Sequence, residues 1–360
     1  MKLNINISTG LKLAILAIAF SLQTGMASAE NLRGLVNLKG YWKFSIGDDL
    51  SWSIPSHNDA KWERVFVPQT WESNGFHDYN GFAWYRKHFN ISVPNQIDFV
   101  YLNMGYIDDV DEVYVNGKLV GASGKFPPLV ETAFNIPRMY PVPTDILNRE
   151  GDNVIAVRVF DDYHEGGIVR GDIEIVYDLD QLKMSVDLSG YWDFECFKNV
   201  DVINQSVITY KPGKIFVPGF WEARGYNNMD GKAIYSKEFR YPSDVSDNNQ
   251  VLLLGVIDDE DEVYLNGEKL DVVRELRKWS SRYRYGGNHM LLRAYEIPEN
   301  LIDRRGINRI EVIVEDHSGP GGIYKGTIGI VDHDVAMPII KKGYKDTKSP
   351  FEKFIDYWFD

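Results

Sequence analysis

The feature of the sequence that most restricts its fold is an internal repeat with a spacing of 150 residues. Residues 40–42 (GYW) recur at 190–192, and residues 105–117 (GYIDDVDEVYVNG) recur at 255–267 (GVIDDEDEVYLNG). Towards the C-terminus the offset becomes 155, so the second copy carries five extra residues between 267 and 295. A period of this length is far too long for a solenoid unit. The sequence therefore predicts a duplicated domain.

Within each copy the local patterns favour β-strands. An alternating apolar run leads into Asn116-Gly117 in the first copy and into Asn266-Gly267 in the second, which is typical of a hairpin. No helical pattern separates the predicted strands, as a parallel α/β sheet would require. The pattern predicts an all-β chain of two tandem jelly-roll β-sandwich domains, at 32–180 and 185–335, joined by a short linker. The Trp residues that recur in both copies are expected in the cores: Trp42, Trp71, Trp192 and Trp221.

The two ends of the sequence carry different signals. Residues 1–29 have Lys2 and Lys12 near an apolar run at 13–22, and they end in Ala-Ser-Ala, as a cleaved secretory signal peptide does. We expect an exported chain that starts at Glu30, in the periplasm or outside the cell, with no membrane span. In the tail at 336–360, Ser349 and the residues after it match a helix capping box, followed by an amphipathic helix.

Composition and motifs exclude several classes of protein. The formal net charge of −13, with 52 acidic and 39 basic residues, argues against a nucleic-acid partner. A single cysteine, Cys196, excludes an intramolecular disulfide framework and a zinc site built on cysteines. The sequence has no Gly-x-Ser-x-Gly elbow and no His-x-x-x-His pair, so esterase and zinc chemistry of those types are not expected. We expect no organic cofactor.

Both copies resemble a known family in motifs that occur in the same order. They are similar to the N-terminal sugar-binding domain, a galactose-binding-like jelly roll, of glycoside hydrolase family 2, and a similar module occurs in sialate O-acetylesterases. In that family the catalytic carboxylates lie on a following (β/α)8 barrel, which this sequence lacks, so the resemblance implies carbohydrate binding without catalytic residues. The resemblance rests on residues 67–71 (VPQTW), 81–87 (GFAWYRK), 107–117, 140–143 (YPVP), 153–159 and 166–168 (GGI), and more loosely on their counterparts in the second copy.

The resemblance implies that two loops in each copy reach towards a substrate, and these loops contain the ring and polar side chains that sugars require. In the first copy they are residues 74–80 and 161–165. In the second copy the counterpart of the loop at 161–165 contains Ser-Gly-Pro, so we expect weaker binding there. The predicted ligand-binding residues are His77, Tyr79, Asn80, Asp162 and His164, with Tyr226, Asn227 and Asp230 in the second copy.

An acidic motif within the long repeated segment has three interpretations. Its carboxylates can accept backbone hydrogen bonds at a bend, hold a structural calcium ion, or act as a catalytic pair. The candidate cation ligands are Asp108, Asp109 and Asp111, with Asp258, Asp259 and Asp261 in the second copy.

These observations predict a secreted, non-catalytic carbohydrate-binding protein that is accessory to polysaccharide or glycoside degradation, acting alone or beside a separate hydrolase chain. Two alternatives stay open. One is a glycosidase-type hydrolase of the family 2 kind, or a subunit that completes another chain's active site. The other is a structural or adhesive envelope protein, because the same fold can carry unrelated functions.

Overall fold

The computed structural model describes residues 31–346, apart from 129, 198, 202–205, 209, 227–228, 244, 246–248, 280–290 and 318. The chain forms two antiparallel β-sandwiches in succession, β1–β10 (domain 1) and β11–β23 (domain 2). The predicted fold class, all-β with tandem jelly-roll sandwiches and a short C-terminal helix, is confirmed. The predicted signal peptide at 1–29 lies outside the described residues.

Domain 1 consists of a six-stranded sheet packed on a four-stranded sheet. The larger sheet has the strand order β3-β2-β4-β9-β6-β7, and the smaller sheet has the order β1-β10-β5-β8. The strands of domain 1 are β1 Leu32–Asn37, β2 Gly40–Ile46, β3 Glu63–Val67, β4 Gly81–Phe89, β5 Phe99–Asp108, β6 Val110–Val115, β7 Lys118–Ser123, β8 Pro137–Pro143, β9 Asn153–Asp161 and β10 Gly167–Asp178.

Domain 2 repeats this strand order. Its larger sheet runs β15-β12-β16-β22-β18-β19 and its smaller sheet runs β11-β23-β17-β21-β20, so ten of its strands occupy the positions of the ten strands of domain 1. A separate hairpin, β13–β14, follows β12. The strands of domain 2 are β11 Val186–Asp187, β12 Gly190–Cys196, β13 Asn199–Asp201, β14 Ser206–Ile208, β15 Gly213–Val217, β16 Gly231–Phe239, β17 Gln250–Ile257, β18 Glu260–Leu265, β19 Glu268–Lys269, β20 Asp271–Val272, β21 Leu292–Glu296, β22 Asn308–Asp316 and β23 Ile323–Asp332.

The predicted turns and core rings are present. Asn116 and Gly117 both have positive φ, 50° and 77°, which is the backbone of a tight two-residue turn between β6 and β7. In domain 2 the equivalent Asn-Gly pair joins β18 to β19. All four recurring Trp residues are buried, with exposures of 0–1%. The indole of Trp42 also donates a hydrogen bond to the Leu38 carbonyl at 2.8 Å.

The two domains pack closely across the outer face of the smaller sheet of domain 1. The linker is a single 3-10 turn at Leu179–Lys183. Phe99 and Tyr101 on β5 and Val176 on β10 form a buried apolar cluster with Phe216 of domain 2. The Tyr101 hydroxyl accepts a hydrogen bond from the Gly326 backbone N–H at 2.9 Å. The outer face of this sheet is therefore an interface between the two domains.

In domain 2 a helix covers the equivalent sheet face. The helices are α1 Arg274–Trp279 and α2 His333–Asp346. Ala336 and Ile340 of α2 pack with Val251 of β17 and Val331 of β23 in a separate apolar cluster. Val251 is the repeat counterpart of Tyr101, so one surface is covered by a domain in the first copy and by a helix in the second.

The helices differ in two ways from the predictions. The insertion in the second copy was expected in a loop, but this region contains α1, whose Leu276 packs into the cluster under α2. The C-terminal helix α2 begins at His333, whereas the capping box predicts a helix start at Ser349, and the residues from 347 onwards lie outside the described ones. Among the described residues, neither helix has the length and apolar character needed to cross a membrane.

Candidate functional site

The first loop of domain 1 (74–80) is built on the buried ring of Trp71. A 3-10 turn, Glu72–Asn74, ends at Gly75, whose φ of 100° reverses the chain. The Asn74 side chain then ties the turn to β3, because it accepts from the Phe66 N–H at 2.7 Å and donates to the Phe66 carbonyl at 3.2 Å. The base of this loop is therefore rigidly attached to the larger sheet.

The predicted ligand-binding residues of the first loop differ in what they contact. His77 and Asn80 are exposed. Tyr79 is half-buried, with its ring 5.5 Å from that of Trp71 and its hydroxyl donating to the Phe82 carbonyl at 2.5 Å. We expected a Tyr79 side chain at a loop tip that contributes little to the core. That expectation is wrong, because the ring packs on the core of the domain.

The second loop of domain 1 (161–165) places one carboxylate inside the protein and exposes the rest. Asp161 ends β9 and is fully buried, whereas the predicted ligand-binding residues Asp162 and His164 are exposed. Tyr163 is 70% exposed, and its ring lies 3.8 Å from the imidazole of His164. Tyr163 is thus an exposed ring of the second loop, and it was missed as a candidate although it lies within the predicted segment.

The two loops meet at a shared base. The Trp71 N–H donates to the Gly166 carbonyl at 3.0 Å, and the Gly166 N–H donates to the Glu72 carboxylate at 3.3 Å. A Cβ atom at Gly166 would lie 2.2 Å from the Trp71 ring, so this close approach requires glycine. The structure therefore brings the two loops to the same end of domain 1.

An acidic cluster lies beside the second loop. It consists of Asp108 at the end of β5, Asp109 in the bend that follows, and Asp161 at the end of β9. One carboxylate oxygen from each residue lies within 4.8 Å of the others. The ladder between β6 and β9 pairs Val110 with Phe160, which brings the bend next to the end of β9. The sequence motif supplied two of these three residues, and Asp161 was missed.

Burial and mutual repulsion perturb this cluster. Burial, with a further contribution from the neighbouring Asp109 carboxyl, raises the pKa of Asp108 to about 7. Burial likewise raises the pKa of Asp161 to about 7, and the charges of Asp109 and Glu72 act in the same direction. The arrangement can share a proton among the carboxylates or bind a cation.

The other predicted cation ligands of the motif are placed differently. Asp111 is fully buried and accepts hydrogen bonds from Arg138 Nε and from the Tyr140 hydroxyl, both at 2.7 Å. In domain 2, Asp261 makes the same ion pair with Arg293, at 2.5 Å. The guanidinium groups already neutralise Asp111 and Asp261, and neither carboxylate belongs to the three-carboxylate clusters of the described residues, so the cation site predicted at these two residues finds no support here.

The second-domain counterpart of the first loop faces domain 1. Arg224 donates to the backbone carbonyls of Leu119 and Pro141 in domain 1, at 3.4 and 3.3 Å, and burial lowers the pKa of its guanidinium to about 10. Tyr226 is half-buried, and its ring lies 4.5 Å from that of Phe194. This end of domain 2 is thus partly occupied by the contact between domains.

The remaining predicted residues of domain 2 are less informative. Asp230 is exposed, while Asn227 lies outside the described residues. The acidic cluster recurs as Asp258, Asp259 and Asp316, again with one oxygen from each within 4.8 Å of the others. Here the Asp259 carboxylate also accepts a hydrogen bond from the His317 N–H at 2.9 Å.

The fold and these loops define a class of protein. The chain is a pair of jelly-roll sandwiches, and the described residues contain no (β/α)8 barrel. A family model described as the second all-beta domain of beta-galactosidase matches residues 47–165. This match lies within domain 1, and the resemblance to accessory domains of glycoside hydrolase family 2 is confirmed.

The relatives that match are larger proteins. A beta-glucuronidase from Formosa agariphila is 29% identical over 143 residues, which are 36% of this chain and 14% of that protein. A second protein of the same organism that carries a beta-glucuronidase name is 27% identical over 214 residues, 54% of this chain and 17% of that protein. A solved beta-glucuronidase from glycoside hydrolase family 2 covers 81% of this chain and 27% of its own, with 14% identity and a TM-score of 0.36. The chain thus spans 14% and 17% of the length of the two Formosa agariphila proteins, and 27% of the solved one.

Proposed function

We propose that this protein binds carbohydrate as a non-catalytic accessory in glycoside degradation, through the two loops at the open end of domain 1. The observation that carries the proposal is the shared base at Trp71 and Gly166, which holds the loops together while Tyr163 and the polar side chains around it stay exposed. The corresponding loop of domain 2 is partly occupied by domain 1. Binding is therefore assigned to domain 1.

The exposed side chains suit a sugar. The face of the Tyr163 ring offers a surface on which the C–H groups of a pyranose can stack. His77, Asn80 and Asp162 supply donors and acceptors for hydroxyl groups. A shallow site of this kind that holds one or two sugar rings gives dissociation constants on the order of micromolar to millimolar.

The negative charge of the two loops disfavours anionic sugars. The two loops contain the carboxylates of Asp78, Asp162 and Glu165 on exposed positions and contain no Lys or Arg. A uronic acid would bring its own negative charge to this surface, at a cost in Coulomb energy. We therefore propose neutral or amino sugars as ligands, although the curated relatives carry beta-glucuronidase names.

The carboxylates near the loops are poorly placed for glycoside hydrolysis. A glycosidase holds its two carboxyl groups about 5–10 Å apart with the scissile bond between them. In the acidic cluster one oxygen of each carboxylate lies within 4.8 Å of the others, and Asp161 is fully buried, so a sugar ring cannot reach that carboxylate. We propose that hydrolysis is carried out by a separate chain.

The proposal includes export. The N-terminal charges, apolar run and Ala-Ser-Ala sequence support cleavage after Ala29 and release into the periplasm or the medium. We also propose that carboxylates of the acidic cluster hold a structural calcium ion.

A glycan array followed by titration calorimetry tests the proposal. We expect the chain to bind neutral or amino-sugar glycans, and Tyr163→Ala to weaken this binding at least tenfold without a change in the unfolding midpoint. Tyr41→Ala is the matched control, because Tyr41 is 57% exposed and belongs to β2 of the larger sheet rather than to the two loops. Equal affinity of both variants, or binding of uronic-acid glycans alone, would contradict the proposal.

A further inference from the structure

The positions of the three carboxylates in the acidic cluster of domain 1 are set by the pairing of its strands. Asp108 and Asp109 follow one strand of the smaller sheet, and Asp161 ends a central strand of the larger sheet. The Asp109 N–H donates to the Phe160 carbonyl at 3.2 Å, which holds the bend against β9. Three carboxylates are thus held within 4.8 Å of one another by backbone that cannot easily move apart.

One buried carboxylate oxygen of the cluster has no hydrogen bond from the residues that the structure describes. Asp161 has an exposure of 0%, and its Oδ2 atom has no hydrogen-bond partner among the described residues. The other oxygen, Oδ1, accepts a single hydrogen bond from the Tyr163 N–H, at 3.3 Å. A buried carboxylate oxygen without a partner is costly, and native proteins satisfy such atoms with a donor, a water molecule or an ion.

The neighbouring positive charge is already in use. The Arg138 guanidinium pairs with Asp111 and donates to the backbone carbonyl of Asp109, at 2.7 and 2.9 Å. The Asp109 carboxylate itself accepts a hydrogen bond from the Thr132 hydroxyl. In the described part of the chain no donor contacts Oδ2 of Asp161, so the charge of the cluster remains to be balanced.

We propose that Asp108, Asp109 and Asp161 bind one calcium ion. Calcium takes oxygen ligands at 2.3–2.6 Å, so two ligands on opposite sides of the ion lie about 4.6–5.2 Å apart. The three oxygens of the cluster all lie within 4.8 Å of one another, which is within the largest separation that two ligands of one calcium ion can have. The smaller magnesium ion, with ligands at about 2.0–2.1 Å, requires tighter and near-octahedral geometry. Water molecules supply the remaining ligands.

The ion has a structural consequence for the second loop. It joins the end of β5 to the last residue of β9, directly before the exposed residues Asp162 and Tyr163. Calcium binding therefore fixes the start of this loop and raises the stability of domain 1. The calcium proposal depends only on the acidic cluster, and it is independent of whether the loop binds sugar.

Calcium titration of the chelator-treated chain tests this site. We expect saturable binding, and at about 100 times the dissociation constant a rise in the unfolding temperature of roughly 5–10 °C. Magnesium at the same concentration is expected to produce a smaller rise. Asp161→Asn is expected to bind one equivalent of calcium fewer than the wild type. In the absence of calcium it should unfold at the same or a higher temperature, because one repelling charge is gone.

Two further variants make the result decisive. Asp109→Asn can still accept the hydrogen bond from the Thr132 hydroxyl, and it should also bind one equivalent of calcium fewer than the wild type. This second variant keeps the test valid if Asp161→Asn fails to fold. Glu165→Gln, an exposed carboxylate of the second loop, should bind as many equivalents as the wild type. Absence of saturable calcium binding, or equal stoichiometry in the wild type and Asp161→Asn, overturns the proposal.

Discussion

Replacement of Asp111 by Asn tests whether this residue of the acidic motif stabilises the fold. Asp111 and Arg138 have fully buried side chains that contact each other at 2.7 Å, and Tyr140 donates to the second carboxylate oxygen. Asn has nearly the same shape but no charge, so the variant leaves the guanidinium group buried without its counter-ion. The packing of the domain is otherwise unchanged.

The expected loss can be estimated from the contacts. Removing one partner of a buried ion pair costs about 3–5 kcal/mol. Arg138 keeps hydrogen bonds to the carbonyls of Ala133, Ile136 and Asp109, which stabilise part of its charge, so we expect a value near the lower limit of about 3 kcal/mol. With a urea slope of about 2 kcal/mol/M, the midpoint of domain 1 falls by about 1.5 M.

Urea unfolding followed by tryptophan fluorescence measures this shift. Asp172→Asn is the control, because Asp172 makes an exposed ion pair with Lys39 and its loss should cost less than about 1 kcal/mol. The double variant Asp111→Leu/Arg138→Met removes both charges and should recover much of the loss. If Asp111→Asn is no more destabilising than Asp172→Asn, the ion pair does not have the role assigned to it.

Three other predictions concern the interface, the first loop and export. Phe216→Ala should lower the free energy of unfolding by about 3 kcal/mol and separate the transitions of the two domains in scanning calorimetry, because Phe216 is 4% exposed between the domains. Its repeat counterpart Phe66 is 43% exposed, and an equal loss of stability in Phe66→Ala would contradict this. Tyr79→Ala should lower the stability of domain 1 by about 1–3 kcal/mol in urea unfolding, since the ring packs on Trp71; an unchanged midpoint would show that the ring is free for ligand. N-terminal sequencing of exported material should begin at Glu30, and a retained leader there would refute cleavage.

The duplication allowed most of the architecture to be predicted from the sequence. The two offsets, 150 and then 155 after the insertion, place equivalent residues on equivalent strands. Ten strands have the same order in both sandwiches, and domain 2 has β20 as an additional edge strand. The offset could not reveal what covers each sheet. Tyr101 and its counterpart Val251 both lie on an outer face, but one contacts domain 2 and the other contacts α2. That choice depends on tertiary packing, and Pro338 within α2 weakens the helical signal in the sequence.

The acidic motif shows a different limit of sequence reasoning. Four acidic residues in a row of five did not reveal which carboxylate points into the sandwich, and the buried one proved to be Asp111. Asp161 joins the cluster through pairing of β6 with β9, a contact that no local pattern reports. One available signal was its recurrence as Asp316, in both copies shortly before a Gly-Gly pair.

Hydrogen exchange of the chain with and without a saturating glycan tests whether carbohydrate binds at the two loops of domain 1. We expect the ligand to slow exchange of the backbone amides at 74–80 and 161–165, and to leave the loop of domain 2 that carries Arg224 and Tyr226 unchanged. Protection confined to domain 2, or the absence of any protected amide in the two loops of domain 1, would contradict carbohydrate binding at this end of the first sandwich.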